Sequence, residues 1–413
     1  MNEQGLNPKP KKSSGWKIFI IILLLIFGVG GYFGYQYYLN KGDNSNNNPA
    51  NSTGQKVSIT QKILDNKFGW LGGGADDTGE GIIARGGLWV RPHPGAFVWD
   101  MVQKELCGEN GCGGKNEPFD FTLSDQEVGN YQKNDLGILA TIWPFADWDQ
   151  KNLANADDCK VASTDEFLSK NDKKGRGFYL PEYRCNPSDW VAYQKFVGAI
   201  VERYDGDGVN DMPKLNIPNK YWEVMNEPDL QYQNNLPANE SDRLNFYKQG
   251  PTEYAELLIK TSEGIRKADP EAKILIAGAA GADSRMLSFY QDVFKNTAVA
   301  SAFDIGNIHC ISNDQKTNDF NVASYKSMLE SAGITDKPIW VTEAEAMYSQ
   351  NSEENFQSTQ KSVIGAIAAG AERIFFTRDD FGDTRTDMSQ ENETSGDSKK
   401  DSENKYKIIT SQN

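Results

Sequence analysis

Two glutamates stand where a reactive pair would. Tyr221–Leu230 reads YWEVMNEPDL and Pro338–Met347 reads PIWVTEAEAM. In each, a β-branched and aromatic run stops at a carboxylate, Glu227 in the first and Glu343 in the second. A run that asks for burial and then ends in a charge is costly unless the charge is used. Two such carboxyl groups, brought together, could split an acetal: one protonates the departing oxygen and the other attacks the carbon it leaves. Nearness also lifts the pKa of one of them, so that the acid keeps its proton near neutrality. Glu223 shares parity with Glu227 but sits half a strand deeper, an interior carboxylate awaiting a basic partner. Glu345 falls on the same side of an alternating strand as Glu343, so periodicity does not choose between those two.

These carboxylates need a scaffold that holds distant strand ends side by side. Apolar runs recur at Phe68–Trp70, Leu88–Arg91, Ile138–Trp143, Tyr221–Met225, Lys273–Ala277, Asp304–His309, Ile339–Thr342 and Arg373–Thr377. Between most of them lie amphipathic stretches: Leu123–Lys133, Ser188–Arg203 with Ser188 as N-cap, Thr252–Ala268, Ser284–Lys295, Val322–Ala332 and Glu354–Ala369. Eight strands alternating with helices predict an α/β fold with a parallel sheet, and eight is the number that closes into a (β/α)8 barrel. An open doubly wound sheet is the alternative. It would carry a glycine-rich phosphate loop, and Gly72–Gly74 is followed by Asp76 and Asp77, which repel phosphate. In a barrel the loops after the strands form the working face. No eighth helix is expected, because the chain after Asp380 is too polar.

NEP after one strand, TE at the end of a later one and a histidine in a strand between them resemble the retaining glycosidases built on (β/α)8 barrels, whose two glutamates sit on strands four and seven. The similarity spans roughly Asn66–Asp380. It implies Glu227 as acid/base, Glu343 as nucleophile and Asn226 as the contact to the sugar 2-hydroxyl, with no cofactor required. Arg91, in WVRPHPG, resembles the arginine that holds the nucleophile ionised; otherwise it is a core ion pair. His93 serves sugar contact or loop packing, and His309 sits where such barrels often place a histidine near the catalytic pair. Trp143 and Trp148 fall near the working face, where flat rings stack on pyranose faces, unless they simply pack. Cys310 and Ile311 stand where many relatives carry a tyrosine, and strand eight lacks their tryptophan. An inactive glycan-binding protein and a transglycosylase on the same scaffold are therefore the alternatives to a hydrolase.

The rest of the chain sets the context. With 58 acidic against 43 basic residues, the 413-residue chain has a formal charge of −15, which argues against nucleic acid as a partner. Ile18–Phe27 is almost wholly apolar, and residues 16–39 are long enough to span a hydrocarbon core of roughly 30 Å. Lys9, Lys11, Lys12 and Lys17 precede or open that span. Residues 1–15 thus read as a basic cytoplasmic tail and 16–39 as an anchor in the cell membrane, with the remainder outside; a cleaved signal peptide is the alternative. Residues 40–56 are a flexible linker, 57–382 the catalytic domain and 383–413 a polar, disordered tail. Outside the cytoplasm disulfides are permitted, and Cys107 could pair with Cys112 and Cys159 with Cys185; free thiols are the main alternative, and a zinc site is a further one whose usual ligand spacings are not matched. Asp205, Asp207, Asn210 and Asp211 are spaced like short calcium loops, or form a solvated turn.

Overall fold

The computed structural model describes residues 58–73, 77–105, 119–161, 179–230, 245–311, 318–346, 349, 351–381 and 396–412. The chain divides after Ser58, and the unit Ile59–Asn413 holds the barrel. The expected anchor 16–39, linker 40–56, Cys107 and Cys112 lie outside the described residues. Among the described residues no helix is long and apolar enough to cross a membrane.

Eight parallel strands run in the order β5-β4-β3-β2-β1-β8-β7-β6. They are β1 Phe68–Gly72, β2 Trp89–Pro92, β3 Gly137–Ile142, β4 Tyr221–Val224, β5 Lys273–Ile276, β6 Gly306–Cys310, β7 Ile339–Ala344 and β8 Ala371–Phe376. The seam between β5 and β6 is closed by parallel bridges at Leu275–Ile305 and Ala279–Ile308. Across it Ile305 N donates to Ile274 O at 3.1 Å and His309 N donates to Ala279 O at 2.8 Å. All eight predicted strands are present, because each is a short buried run flanked by polar turns. The open-sheet alternative fails at that seam.

The lower end of the barrel is plugged. Ile63, on the helix Ile59–Asp65, packs with Trp89, Leu139, Leu275, Ile305, Trp340 and Phe375, and the Trp89 indole donates to Ile63 O at 2.7 Å. Gly69 leaves room for Phe375, whose ring lies 2.5 Å from where a Cβ would stand. The helix Trp190–Glu202 starts one residue later than expected: Asp189, not Ser188, caps it, accepting from Val191 N and Ala192 N at 3.0 Å each.

The sequence reading misjudged the end of the chain. Gly396–Gln412 is a helix that packs between Ser352–Ala369 and Glu80–Ala84, the place of the eighth outer helix. The segment is polar, but a helix needs few anchors when they are large. Tyr406 packs against Trp70, Phe376 and Phe381 and donates to Arg378 O at 2.9 Å. Ile409 is buried beside it, and Thr410 donates to Arg85 O at 3.1 Å.

Cys159 and Cys185 form a disulfide across the long connection after β3. That removes two of the four ligands a zinc site would need. Cys310 is buried at the end of β6. Asp205, Asp207 and Asp211 lie between the helix Trp190–Glu202 and β4, on the side of the strand N-termini. Their carboxylates converge within 4.8 Å of one another. Both oxygens of Asp211 already accept backbone N–H groups, from Gly206 at 3.0 Å and Gly208 at 2.7 Å.

Candidate active site

Strand alternation sends every second side chain into the barrel. Above the apolar plug this brings Arg91 from β2, Thr141 from β3, Glu223 from β4, Asn307 and His309 from β6 and Thr342 from β7 into one buried polar layer. Glu223 finds its basic partner there: Arg91 Nε donates to Oε2 at 2.8 Å. Thr141 Oγ donates to the same oxygen at 2.6 Å, and Asn307 Nδ2 donates to Oε1 at 2.7 Å. The remaining Arg91 nitrogens reach upward, to Glu343 Oε1 at 2.7 Å and to Asn226 Oδ1 at 2.6 Å. Burial works against the Arg91 charge, but Glu223 and Glu343 outweigh it and hold the proton more firmly than usual.

Neither catalytic candidate sits on regular strand. β4 ends at Val224, and Met225 and Glu227 take positive φ values of 68° and 41°. Such backbone is disfavoured for non-glycine residues and clusters at functional turns. Here it swings Glu227 over the barrel end. In β7 the pairing slips: Ile308 faces Val341 but His309 faces Glu343, so Thr342 is the additional residue. The slip breaks the alternation. Thr342 and Glu343, though adjacent, both reach the polar layer, while Glu345 pairs instead with Arg378 at 3.4 Å. Of the two glutamates, Glu343 is the one that meets Arg91.

The ligating oxygens of Glu227 and Glu343 and a ring nitrogen of His309 all lie within 4.8 Å of one another. Burial raises Glu227 to about 8, with Glu223 adding to the rise and Arg91 opposing it. Glu343 is also raised, by burial and by Glu227, while the hydrogen-bonded Arg91 pulls it back. Burial lowers His309 to about 4. Its Nδ1 lies 2.6 Å from Glu227 Oε1 and its Nε2 lies 2.8 Å from Thr342 Oγ. The trio is compact enough to suit a small cation. Its donor atoms, however, are spent on internal bonds, and the Arg91 guanidinium stands beside them.

The other sequence candidates divide. His93 is partly exposed at the end of β2, packs edge-on against Trp143 and Phe246, and keeps a buried Nδ1 with no partner among the described residues. Trp143 is fully buried and donates to Pro94 O at 2.8 Å, so it packs behind His93 and presents no open face for stacking. Trp148 is half-buried against Trp99 and lines a separate cleft of about 410 Å³ with Asp100, Asp147, Tyr179 and Tyr183. The sequence reading missed Asn307, Thr342, Thr141 and Gly278. A Cβ on Gly278 would overlap His309 Nε2, so only glycine lets that imidazole lie where it does. The alternation Asn307–His309 carried the signal for Asn307. Nothing in the sequence pointed to Gly278.

No protein-family model matches this chain, and no curated protein sequence does. Solved structures share its fold. A glucosidase from Croceicoccus marinus superposes with a TM-score of 0.55 at 14% identity, over 84% of this chain and 68% of that one. A monomeric beta-xylosidase from Caulobacter crescentus superposes with a TM-score of 0.53 at 15% identity, over 84% and 68% of the two chains. Identity this low establishes the (β/α)8 barrel and nothing finer.

Proposed function

We propose that the chain is a retaining β-glycosidase, with Glu227 as acid/base and Glu343 as nucleophile. The observation that carries the reading is the approach of their oxygens to within 4.8 Å at one end of a barrel. Oxygens this close fit the ~5–5.5 Å carboxyl spacing of retaining enzymes better than the ~6.5–9.5 Å of inverting ones. Their different surroundings support this division of roles. Glu227, pushed up to about 8, is protonated at neutral pH; Glu343 faces a guanidinium that stabilises its anion.

In the first step the Glu227 proton passes to the glycosidic oxygen, the bond from that oxygen to C1 breaks, and Glu343 forms a new bond to C1. Arg91 engages Oε1, which leaves Oε2 to attack. In the second step water adds to C1, gives its proton to Glu227 and releases Glu343. Asn226, held by Arg91, would bind the 2-hydroxyl, and the partly exposed His93 would contact a neighbouring hydroxyl.

The test is hydrolysis of a panel of β-glycosides by the full-length chain. Glu343→Gln should abolish turnover. Glu227→Gln should slow unactivated glycosides by about 10²–10⁴-fold and dinitrophenyl glycosides much less, since a good leaving group needs no acid. Sugar binding without hydrolysis by any of these proteins would favour the glycan-binding alternative; disaccharide products would favour transglycosylation. The fully buried Trp143 leaves the aromatic subsites of this chain to other residues.

Two further readings belong to the proposal. Residues 16–39 would tether the enzyme to a membrane with the barrel outside, checked by fractionation and protease accessibility of intact cells. The Asp205, Asp207 and Asp211 loop would take a structural calcium ion, checked by a rise in melting temperature with calcium over a chelator.

A further inference from the structure

The bonds around His309 form a continuous chain, and their directions are fixed from one end. Glu223 is ion-paired with Arg91 and accepts from Thr141, so the Asn307 group 2.7 Å from its Oε1 must be the amide NH2. With the amide turned the other way, two acceptors would face each other. Asn307 Oδ1 therefore points at Thr342 Oγ, 2.8 Å away, and the single threonine hydrogen goes to it. Thr342 Oγ is left as an acceptor toward His309, 2.8 Å away, so Nε2 of the imidazole carries the hydrogen. A neutral imidazole has one N–H. Its Nδ1 is then bare, and across the 2.6 Å contact Glu227 has to be the donor.

We propose that Asn307 and Thr342 are positioning residues that fix the Nε2–H tautomer of His309 and thereby place the resting proton on Glu227. The proposal rests on Glu227 being the acid. It also gives the threonine before Glu343 a task of its own, distinct from the nucleophile's. Gly278 supports the arrangement by letting the ring sit flat against the strand-five turn, where a Cβ would strike Nε2. The burial that lowers His309 to about 4 agrees with a neutral ring. The other groups facing this pair are Arg91 on β2, Glu223 on β4, Asp229 and Tyr290, Glu343 on β7, and His93. None of them offers Nδ1 a hydrogen. When Glu227 gives up its proton, its carboxylate faces a bare nitrogen, so the network opposes ionisation until a substrate is there to receive the proton.

Thr342→Val deletes both links. The ring can then adopt the Nδ1–H tautomer and donate to the Glu227 carboxylate, which stabilises the ionised form. The alkaline limb of kcat/KM should move to lower pH by about one unit or more, whereas Thr342→Ser should keep it in place. Loss of packing alone would lower activity at every pH and leave the limb unmoved, an outcome that overturns the proposal. The chain has only two histidines, so long-range ¹H–¹⁵N spectra of the histidine-labelled full-length protein, assigned with His93→Gln, read the tautomer without any turnover. A protonated Nε2 and a bare Nδ1 on His309 are expected in the unsubstituted protein. A protonated Nδ1 would overturn the proposal, even where Thr342→Val does not fold. Absence of hydrolysis would sink the glycosidase reading but leave that spectrum to decide this one.

Discussion

Two buried arginines on strands of the barrel, Arg91 and Arg373, solve the same problem in opposite ways. Arg373, on β8 near the lower end, is flanked by the rings of Trp89 and Trp340, with its guanidinium carbon 4.2 and 4.4 Å from their centroids. It donates to Leu64 O at 2.8 Å and Asn66 O at 3.2 Å, tying the plug helix to the sheet. Arg91, on β2 one layer up, faces Glu223, Glu343 and Asn226. Burial lowers Arg373 to about 10, Tyr221 and Glu372 only partly opposing it, whereas the carboxylates around Arg91 reverse the effect of burial. Rings and carbonyls satisfy a guanidinium without fixing any other group's charge. Carboxylates are themselves fixed by it. The lower arginine therefore holds the fold, and the upper one sets the charge of the carboxylates around it.

The contrast is broken most severely at Arg91. A lysine keeps the charge but cannot serve Glu223, Glu343 and Asn226 at once from three fixed nitrogens. Arg91→Lys should lower kcat/KM by at least about 10²-fold, comparable to losing one preorganised donor, with the circular dichroism spectrum retained. Arg373→Met should do the reverse. It removes two ring contacts and strands two carbonyls, a loss of about 2–4 kcal/mol in unfolding free energy. The kcat of the folded fraction should not change. If Arg373→Met also changed the pH profile, the division between the two layers would be wrong.

How much of this was legible in the sequence follows from the same physics. The eight strands and Glu227, Glu343, Asn226, Arg91 and His309 could be read because a buried strand ending in a polar side chain is locally anomalous. Glu345 could not be separated from Glu343, since the slip at Thr342 is a property of pairing with β6 and β8 and leaves no trace in β7 alone. Asn307 and Thr342 look unremarkable in sequence; their meaning lies in hydrogen-bond direction between strands. The helix Gly396–Gln412 was missed because, among its described residues, the buried apolar side chains are Tyr406 and Ile409, too few to make a periodic pattern. Trp143 carried the right residue type but was misread, since whether a ring packs or lies open depends on what His93 and Phe246 cover.

Glu127 sharpens the comparison by showing what a buried carboxyl does with no arginine beside it. On the helix Thr122–Gln132, its Oε2 accepts from Ala96 N at 2.9 Å, while its buried Oε1 has no partner among the described residues. Burial raises its pKa to about 8, Asp77 contributing and the Ala96 hydrogen bond opposing. The folded state thus keeps this proton where an unfolded chain would release it near pH 4.5. Between those two values the native state binds more protons than the unfolded one, so stability falls as pH rises, by up to ~1.4 kcal/mol per unit. Below about pH 4.5 the group is protonated in both states and contributes no slope. Glu127→Gln is neutral at every pH and should remove this component. Its melting temperature should match that of the unsubstituted protein at pH 4.5 and exceed it increasingly toward pH 8. An equal gap at both ends would mean that Glu127 is ionised in the native state, and that a carboxylate in this fold needs no guanidinium to stay charged.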